Sequence, residues 1–233
     1  MARVYAIIPA AGTGSRMATK TKKQYLELNG LPVLVHTLKV FEQCPLVEGI
    51  VLVTGEDELD WCQQEIVDKY GIEKVLSVVP GGDHRQLSVY NGLKSLPAEK
   101  EDIVMVHDGA RPLITNNEIS NAASAAREKG AVVVAVPVKD TIKVVGEGQK
   151  VVDTPSRDSL WAVQTPQVFK YHVLMNAYVN AFKINFLGTD DASLVERMGQ
   201  AVYLVTGSYQ NIKITTPEDM LLAEAILKGR QGY

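Results

Sequence analysis

The chain has 233 residues, 46% of them hydrophobic and 22% charged, which suits one large α/β domain with a folded core. A formal net charge of -3 excludes a general basic footprint for nucleic acid, so any anion site must be local. The two cysteines, Cys44 and Cys62, form no CxxC, and no apolar run reaches the ~18 residues of a membrane helix; a soluble, cytoplasmic protein without a disulfide framework or structural zinc is expected.

In chain order, Val4 to Pro9 is an apolar run that predicts a strand and ends in the loop "AAGTGSRM". Leu31, Leu34, Val35, Leu38 and Phe41 recur at helix spacing, with Pro32 near the helix start. Gly49 to Thr54 predicts a second buried strand, followed by a polar helix up to Tyr70. Lys74 to Val79 predicts a third strand, ending in Pro80-Gly81-Gly82-Asp83, and Asp102 to His107 a fourth, ending in Asp108-Gly109-Ala110-Arg111-Pro112. Ile119, Ala122, Ala123 and Ala126 mark a helix, and Ala131 to Val136 predicts a fifth strand. Strands alternating with helices predict a Rossmann-like, mostly parallel sheet covered on both faces, with ligands beyond the carboxyl ends of its strands.

The alternation breaks at Lys139 to Asp158, where "KDTIKVVGEGQKVVDTPSRD" switches between polar and apolar residues around Gly146-Glu147-Gly148. That pattern predicts a hairpin too polar for a core, hence a protruding arm that packs on something else. Beyond it come "WAVQTPQVF", a helix, "TDDASLVERMG", a strand, and "NIKITTPEDMLLAEAIL", where Thr216 can cap a helix with Pro217 in its first turn and Asp219 three residues on. Without an internal repeat or linker, residues 1–233 are expected to form a single domain with an arm at about 139–158.

The first loop carries the chemistry. Gly12 and Gly14 let backbone amides approach a phosphate. A dinucleotide fingerprint would place a small residue at position 17, where Met17 stands, and a Walker loop would need Gly-Lys-Ser/Thr. What remains is Arg16 with Lys20, Lys22 and Lys23 close behind; a tight βα turn followed by solvated lysines accounts for the same letters.

"PAAGTGSRM" followed by "KKQYLELNGLPVLVHTL" resembles the start of nucleotidyltransferases that activate small phosphates. With "GGDHRQLSV", "HDGARP", "PVKDTIK", "WAVQTPQVF", "TDDASLVE" and "NIKITTPED" in that order, nearly the whole chain resembles the cytidylyltransferase family of the non-mevalonate isoprenoid pathway, which acts on 2-C-methyl-D-erythritol 4-phosphate. The resemblance implies transfer of CMP from CTP to that polyol phosphate with release of pyrophosphate, assisted by Mg²⁺ or another divalent cation. It implies that Arg16 and Lys23 are catalytic, stabilising the α-phosphate transition state and the leaving pyrophosphate. It gives Pro9, Ala10, Ala11, Gly12, Gly14, Gly81, Gly82, Asp83 and Ser88 to the nucleotide, the last four to the cytosine. Asp108, Arg111, Thr141, Arg157, Thr189 and Lys213 go to the second substrate, with Asp108 also a weak metal contact beside the CTP phosphates. Lys213 is taken to lie in a strand and to hold the substrate phosphate. The arm implies a two-fold homodimer, with Thr141 and Arg157 reaching into the neighbour's site.

For several of these residues a structural role also accounts for the sequence. Gly81 to Ser88 can be a strand-to-helix turn with a cap, Asp108 a turn residue, and Thr189 with Asp190-Asp191 a helix start. Two other functions share the glycine loop: a ribitol-5-phosphate cytidylyltransferase, and a nucleotide-binding regulator without catalysis. A nicotinamide-binding dehydrogenase is disfavoured by Met17 and by the lack of an acidic residue ending the second strand.

Overall fold

The computed structural model describes residues 2–12 and 22–231. The elements are, in order, β1 (Val4–Pro9), β2 (Glu27–Leu28), β3 (Leu31–Pro32), α1 (Val33–Gln43), β4 (Gly49–Thr54), α2 (Leu59–Cys62, prolonged by a π-helical turn at Gln63–Asp68), β5 (Val75–Pro80) and α3 (Arg85–Ser95). Next come β6 (Ile103–Val106), α4 (Asn116–Lys129), β7 (Ala131–Pro137), β8 (Val144–Val145), β9 (Val151–Asp153) and β10 (Trp161–Lys170). The chain closes with α5 (Tyr171–Lys183), α6 (Asp191–Arg197), β11 (Tyr203–Thr206) and α7 (Pro217–Gln231).

Seven strands form one sheet in the order β11-β7-β10-β6-β1-β4-β5. All neighbours pair in parallel except β10, which lies antiparallel between β6 and β7. Successive side chains of a strand point to opposite faces, and both faces here are covered. Val4, Ala6 and Ile8 therefore join a core with α1 and α4, while Tyr5 and Ile7 join one with α3, α5 and α6. The expected mostly parallel α/β architecture is what the chain adopts.

Helix ends follow local chemistry. α4 opens with a full capping box, in which Thr115 accepts from Glu118 N–H and Glu118 reaches back to Thr115, and it ends at Gly130 with φ +82°. α6 has a second box from Asp190 and Ser193. At α7, Asp219 Oδ2 accepts from the Thr215 and Thr216 amides, the reach-back expected of the third helical residue.

Two expectations shift. Leu31 is not in the helix: Asn29 (φ +50°) and Gly30 (φ +78°) turn the chain so that Leu31 pairs with Leu28, and α1 begins at Val33. Lys213 is not in a strand: residues 211–215 run as a loop whose one backbone–backbone bond to the loop after β6 runs from Ile214 N to Ala110 O (2.8 Å). "WAVQTPQVF" is the reversed strand β10. Its Pro166, which has no N–H to give a ladder, sits after a cis peptide where the register slips between Val163 and Gln167.

The arm is a hairpin, with β8 and β9 pairing around a turn at Gly146–Gln149. Ile142, Val144, Val145, Val151 and Val152 are all exposed on it, so its apolar side chains are uncovered.

Inside α3, a Cβ at Gly92 would fall 2.7 Å from Ile7 Cγ2 and 2.9 Å from Val53 Cγ2, so this glycine sets how closely α3 lies on β1 and β4. Gly92→Val is expected to lower unfolding free energy by about 1–3 kcal/mol through overpacking, read as a lower urea midpoint at unchanged slope.

Candidate active site

The loops after β1, β5 and β6 meet at the carboxyl ends of the sheet and are joined by backbone bonds. Ala10 N donates to Val53 O (2.6 Å), Gly81 N to Thr54 O (2.7 Å) and Gly109 N to Pro9 O (3.2 Å). Between them lies a cleft of about 390 Å³, bounded by Pro9 to Gly12, Lys23, Gly82 to Arg85, Ser88, Asp108 and Lys213.

On one side, Gln24 donates through Nε2 to Ala10 O (2.5 Å) and Gly12 O (3.2 Å), fastening the turn that carries Lys23 onto the first loop. Tyr25 anchors the same turn from behind: its hydroxyl donates to Glu58 Oε2 (3.2 Å) and lies 3.1 Å from Thr54 Oγ1. Glu58 also holds Lys22 at 2.8 Å. Across the cleft, Ser88 Oγ accepts from Gly82 N (3.0 Å), and His84 Nδ1 accepts from Leu87 N to cap α3. Gly81 admits no side chain, since a Cβ there would meet Ala11 Cβ at 2.7 Å and Ser88 Oγ at 2.9 Å.

At the floor, Asp108 is a buried carboxylate facing three cations. Lys213 Nζ lies 2.7 Å from its Oδ2, Arg111 Nε 3.8 Å from the same oxygen, and Arg85 Nε 3.6 Å from Oδ1. Burial pulls the carboxyl pKa up, but Arg85, then Lys213 and Arg111, outweigh it and hold it well below the usual carboxylate range. Arg85 is shared: its Nη2 lies 2.8 Å from Oδ2 of Asp191, a residue only 1% exposed, whose Oδ1 accepts from the Tyr178 hydroxyl. Arg111 donates to Asn211 O (2.7 Å) behind the carboxylate.

His107 lies beneath this floor. Arg111 O can only accept, so Nε2 carries the ring proton to it (3.1 Å); in the neutral ring Nδ1 then accepts from the Thr165 hydroxyl (3.1 Å), whose oxygen also accepts from Asp108 N (3.1 Å). Burial pushes the imidazole down to about 4, so the ring is neutral near pH 7.

The structure brings together Pro9, Ala10, Ala11, Gly12, Lys23, Gly82, Asp83, Ser88, Asp108 and Lys213 as cleft lining, with Gly81 and Arg111 directly behind. Gly14 and Arg16 lie outside the described residues. Thr141, Arg157 and Thr189 are exposed and do not line this cleft; Arg157 Nη1 donates to Lys139 O (3.0 Å) within the arm. Sequence reasoning missed Arg85 and the fastening role of Gln24. Arg85 had a legible signal: it occupies the first position of α3, where the helix dipole favours an acid rather than a base.

The profile of the 2-C-methyl-D-erythritol 4-phosphate cytidylyltransferase family matches residues 4–229. A protein of that name from Desulforamulus reducens is 54% identical over all of this chain and 99% of its own length. One from Geobacter metallireducens is 51% identical over 97% of each. Among solved structures, 4-diphosphocytidyl-2C-methyl-D-erythritol synthase from Anaerococcus prevotii superposes with a TM-score of 0.85 at 35% identity, covering 97% of this chain and 96% of that one. The 2-C-methyl-D-erythritol 4-phosphate cytidylyltransferase of Francisella tularensis gives 0.83 at 33%, covering 96% and 99%.

Because His107 is buried neutral, the unfolded chain binds a proton that the native one does not between about pH 6.5 and about 4. Its contribution is therefore present above that window and lost as pH falls through it. Urea unfolding should show the wild type losing stability faster than His107→Gln between pH 6 and 5, by up to about 1.4 kcal/mol per pH unit. Parallel pH profiles would contradict the neutral buried ring.

Proposed function

The chain belongs to the 2-C-methyl-D-erythritol 4-phosphate cytidylyltransferase family, and we infer from this membership that it transfers CMP from CTP to 2-C-methyl-D-erythritol 4-phosphate, releasing pyrophosphate. The observation that carries the reading at the site is the gathering of Lys23, Lys213 and the two glycine turns around one cleft at the carboxyl ends of the sheet.

The chemistry suits those residues. An oxygen of the substrate phosphate forms a bond to the α-phosphorus of CTP while the bond from that phosphorus to the β-phosphate oxygen breaks, and pyrophosphate leaves with the electron pair. A phosphate monoester already carries about -1.5 to -2 charges at pH 7, so the nucleophile needs no general base. The barrier is repulsion between anions, which positioned cations relieve. We assign Arg16 and Lys23 to the α-phosphate and the leaving pyrophosphate. We assign Pro9 to Gly12, Gly14, Gly81 to Asp83 and Ser88 to the nucleotide, the glycines allowing close backbone approach. Lys213 takes the polyol phosphate, aided by Arg111, Asp108 and Thr189.

A divalent cation fits this donor set only as a passenger on the triphosphate. No cluster of three or more His, Cys, Asp or Glu side chains occurs among the described residues, and Asp108 is the one floor carboxylate. Mg²⁺ bound in this way keeps several waters and neutralises phosphate charge. No helix among the described residues is long and apolar enough to cross a membrane, and we place the activity in the cytoplasm.

We assign the arm at residues 139–158 to a homodimer, the chain otherwise acting as a single domain. Its uncovered Ile142, Val144, Val145, Val151 and Val152 favour contact with a second copy, and the exposed Arg157 and Thr141 then reach the neighbour's cleft. Guanidinium suits that task because it grips phosphate through two parallel hydrogen bonds.

Purified full-length chain with CTP and Mg²⁺ should release pyrophosphate with methylerythritol phosphate at a kcat/KM more than about tenfold above that with ribitol 5-phosphate. Equal turnover of the two polyol phosphates would overturn the substrate assignment.

The exchanged arm has its own test. Lys23→Ala and Arg157→Ala should each be nearly inactive, Lys23→Ala losing about 10²–10³ in kcat. Refolded together with random pairing, half the dimers are mixed and one site in each is intact, so about a quarter of wild-type activity should return. No recovery, with mixed dimers confirmed by mass, would place Arg157 in its own subunit's site.

A further inference from the structure

We propose that Arg85 is a positioning residue for this transfer: held by Asp191, it keeps the Asp108 carboxylate in place when Lys213 turns from that carboxylate to the phosphate of the second substrate. The proposal rests on the assignment of Lys213 to that phosphate.

Lys213 has two partners to serve. In the structure its Nζ sits 2.7 Å from Asp108 Oδ2, yet it lines the cleft and is 37% exposed, so an arriving dianion competes for it. If Lys213 were the main counter-charge, its departure would leave a buried carboxylate under-compensated, and Asp108 would follow the lysine or take up a proton. Arg85 supplies a counter-charge from another direction, against Oδ1 rather than Oδ2. Arg111 stays at Oδ2, fixed by its bond to Asn211 O.

The aim of Arg85 is set from behind. Asp191 is buried and its second oxygen is taken by Tyr178, itself fully buried, so Asp191 needs a cation and has little freedom to move. The next helical residue, Gln86, donates to Phe186 O (3.1 Å) and accepts from Gly188 N (2.9 Å). The first two residues of α3 thus both grip the segment leading into α6. A base at a helix N-terminus opposes the dipole, so its placement needs a compensating carboxylate, and two are present. The path Tyr178–Asp191–Arg85–Asp108 joins the rear of the sheet to the cleft floor, and Ser88, one turn along α3, faces the nucleotide side.

The test compares the full-length wild type with Arg85→Gln, Arg85→Lys and the double variant Arg85→Gln/Asp191→Asn. Arg85→Gln should lower kcat/KM for the polyol phosphate by about 10²-fold, the scale of a small misplacement at the reacting centre. CTP affinity, titrated without the second substrate, should move less than about threefold, and Arg85→Lys should recover part of the loss. The double variant removes the buried charge that Arg85→Gln leaves unpaired, so its unfolding midpoint should return toward wild type while activity stays low. Activity returning together with stability would reduce Arg85 to a structural role and overturn the proposal. CTP affinity falling as far as kcat/KM would overturn it too, by making Arg85 a nucleotide ligand. If Arg85→Gln fails to fold, the double variant decides alone. Pyrophosphate release by the wild type that depends on the polyol phosphate tests the proposed function itself, whereas the ratio of variant to wild type tests Arg85.

Discussion

A buried carboxylate at the end of a central strand sets the terms for the rest of the site. Asp108 stays ionised only because cations reach it from three separate segments: the start of α3, the loop after β6, and the loop before α7. Desolvating a charge is costly, and the cost is offset only while its partners keep good geometry. Any displacement of one of these segments is therefore resisted by the other two. The turn that carries Gly82, at the start of α3, and the loop that carries Lys213 are thus linked through one shared anion, Asp108.

The reversed strand β10 supplies the second layer of that control. Its "QTPQ" segment buries polar side chains, which are tolerated in a core only when hydrogen-bonded. Each is spent on a loop. Thr165 accepts from Asp108 N, Gln167 donates to Asp190 Oδ2 (2.7 Å) and accepts from Ala192 N (2.9 Å), and Gln164 donates to Ser208 O (2.9 Å). Asn211, which opens the Lys213 loop, donates to Thr165 O (2.9 Å). The register shifts between Val163 and Gln167, so Gln164 and Thr165 fall outside the regular ladder with β7, whereas Gln167 pairs with Val133.

The parts of the fold legible in the sequence were those with one dominant cause. Runs such as "AVVVAV" have to be buried on both faces, and Thr216 with Pro217 and Asp219 behind it has to open a helix. Gly12 and Gly14 were legible as places where a phosphate could approach, yet a Cβ at Gly12 would meet nothing within 4 Å and Gly14 lies outside the described residues; the crowded glycine is Gly81, against Ala11 and Ser88. A base at the first position of a helix marked Arg85 as unusual, but its partners Asp108 and Asp191 lie 23 and 106 positions away in the chain, and no local pattern reports that meeting. Lys213, expected in a strand, stands instead on a loop, with Ile214 packing under α7 while Lys213 lines the cleft.

The arm obeys a different logic from the cleft. Most described cleft residues stand at strand ends and helix starts stitched into the sheet, and the turn of Lys23 and the loop of Lys213 are hydrogen-bonded to them, so lost side-chain freedom is offset by packing. A two-strand hairpin with its valines in water has no such support and is marginal alone. Residues delivered by the arm can then be positioned to a few tenths of an ångström only by a second body pressed against those valines. On the proposed function, that makes a complete substrate-phosphate site conditional on association, since the nucleotide-facing half is built within one chain while Arg157 and Thr141 are not. Such a division would let one chain bind CTP while transfer waits for the pair, because the exposed β-branched surface and the exposed guanidinium lie on the same hairpin and would be covered by the same contact.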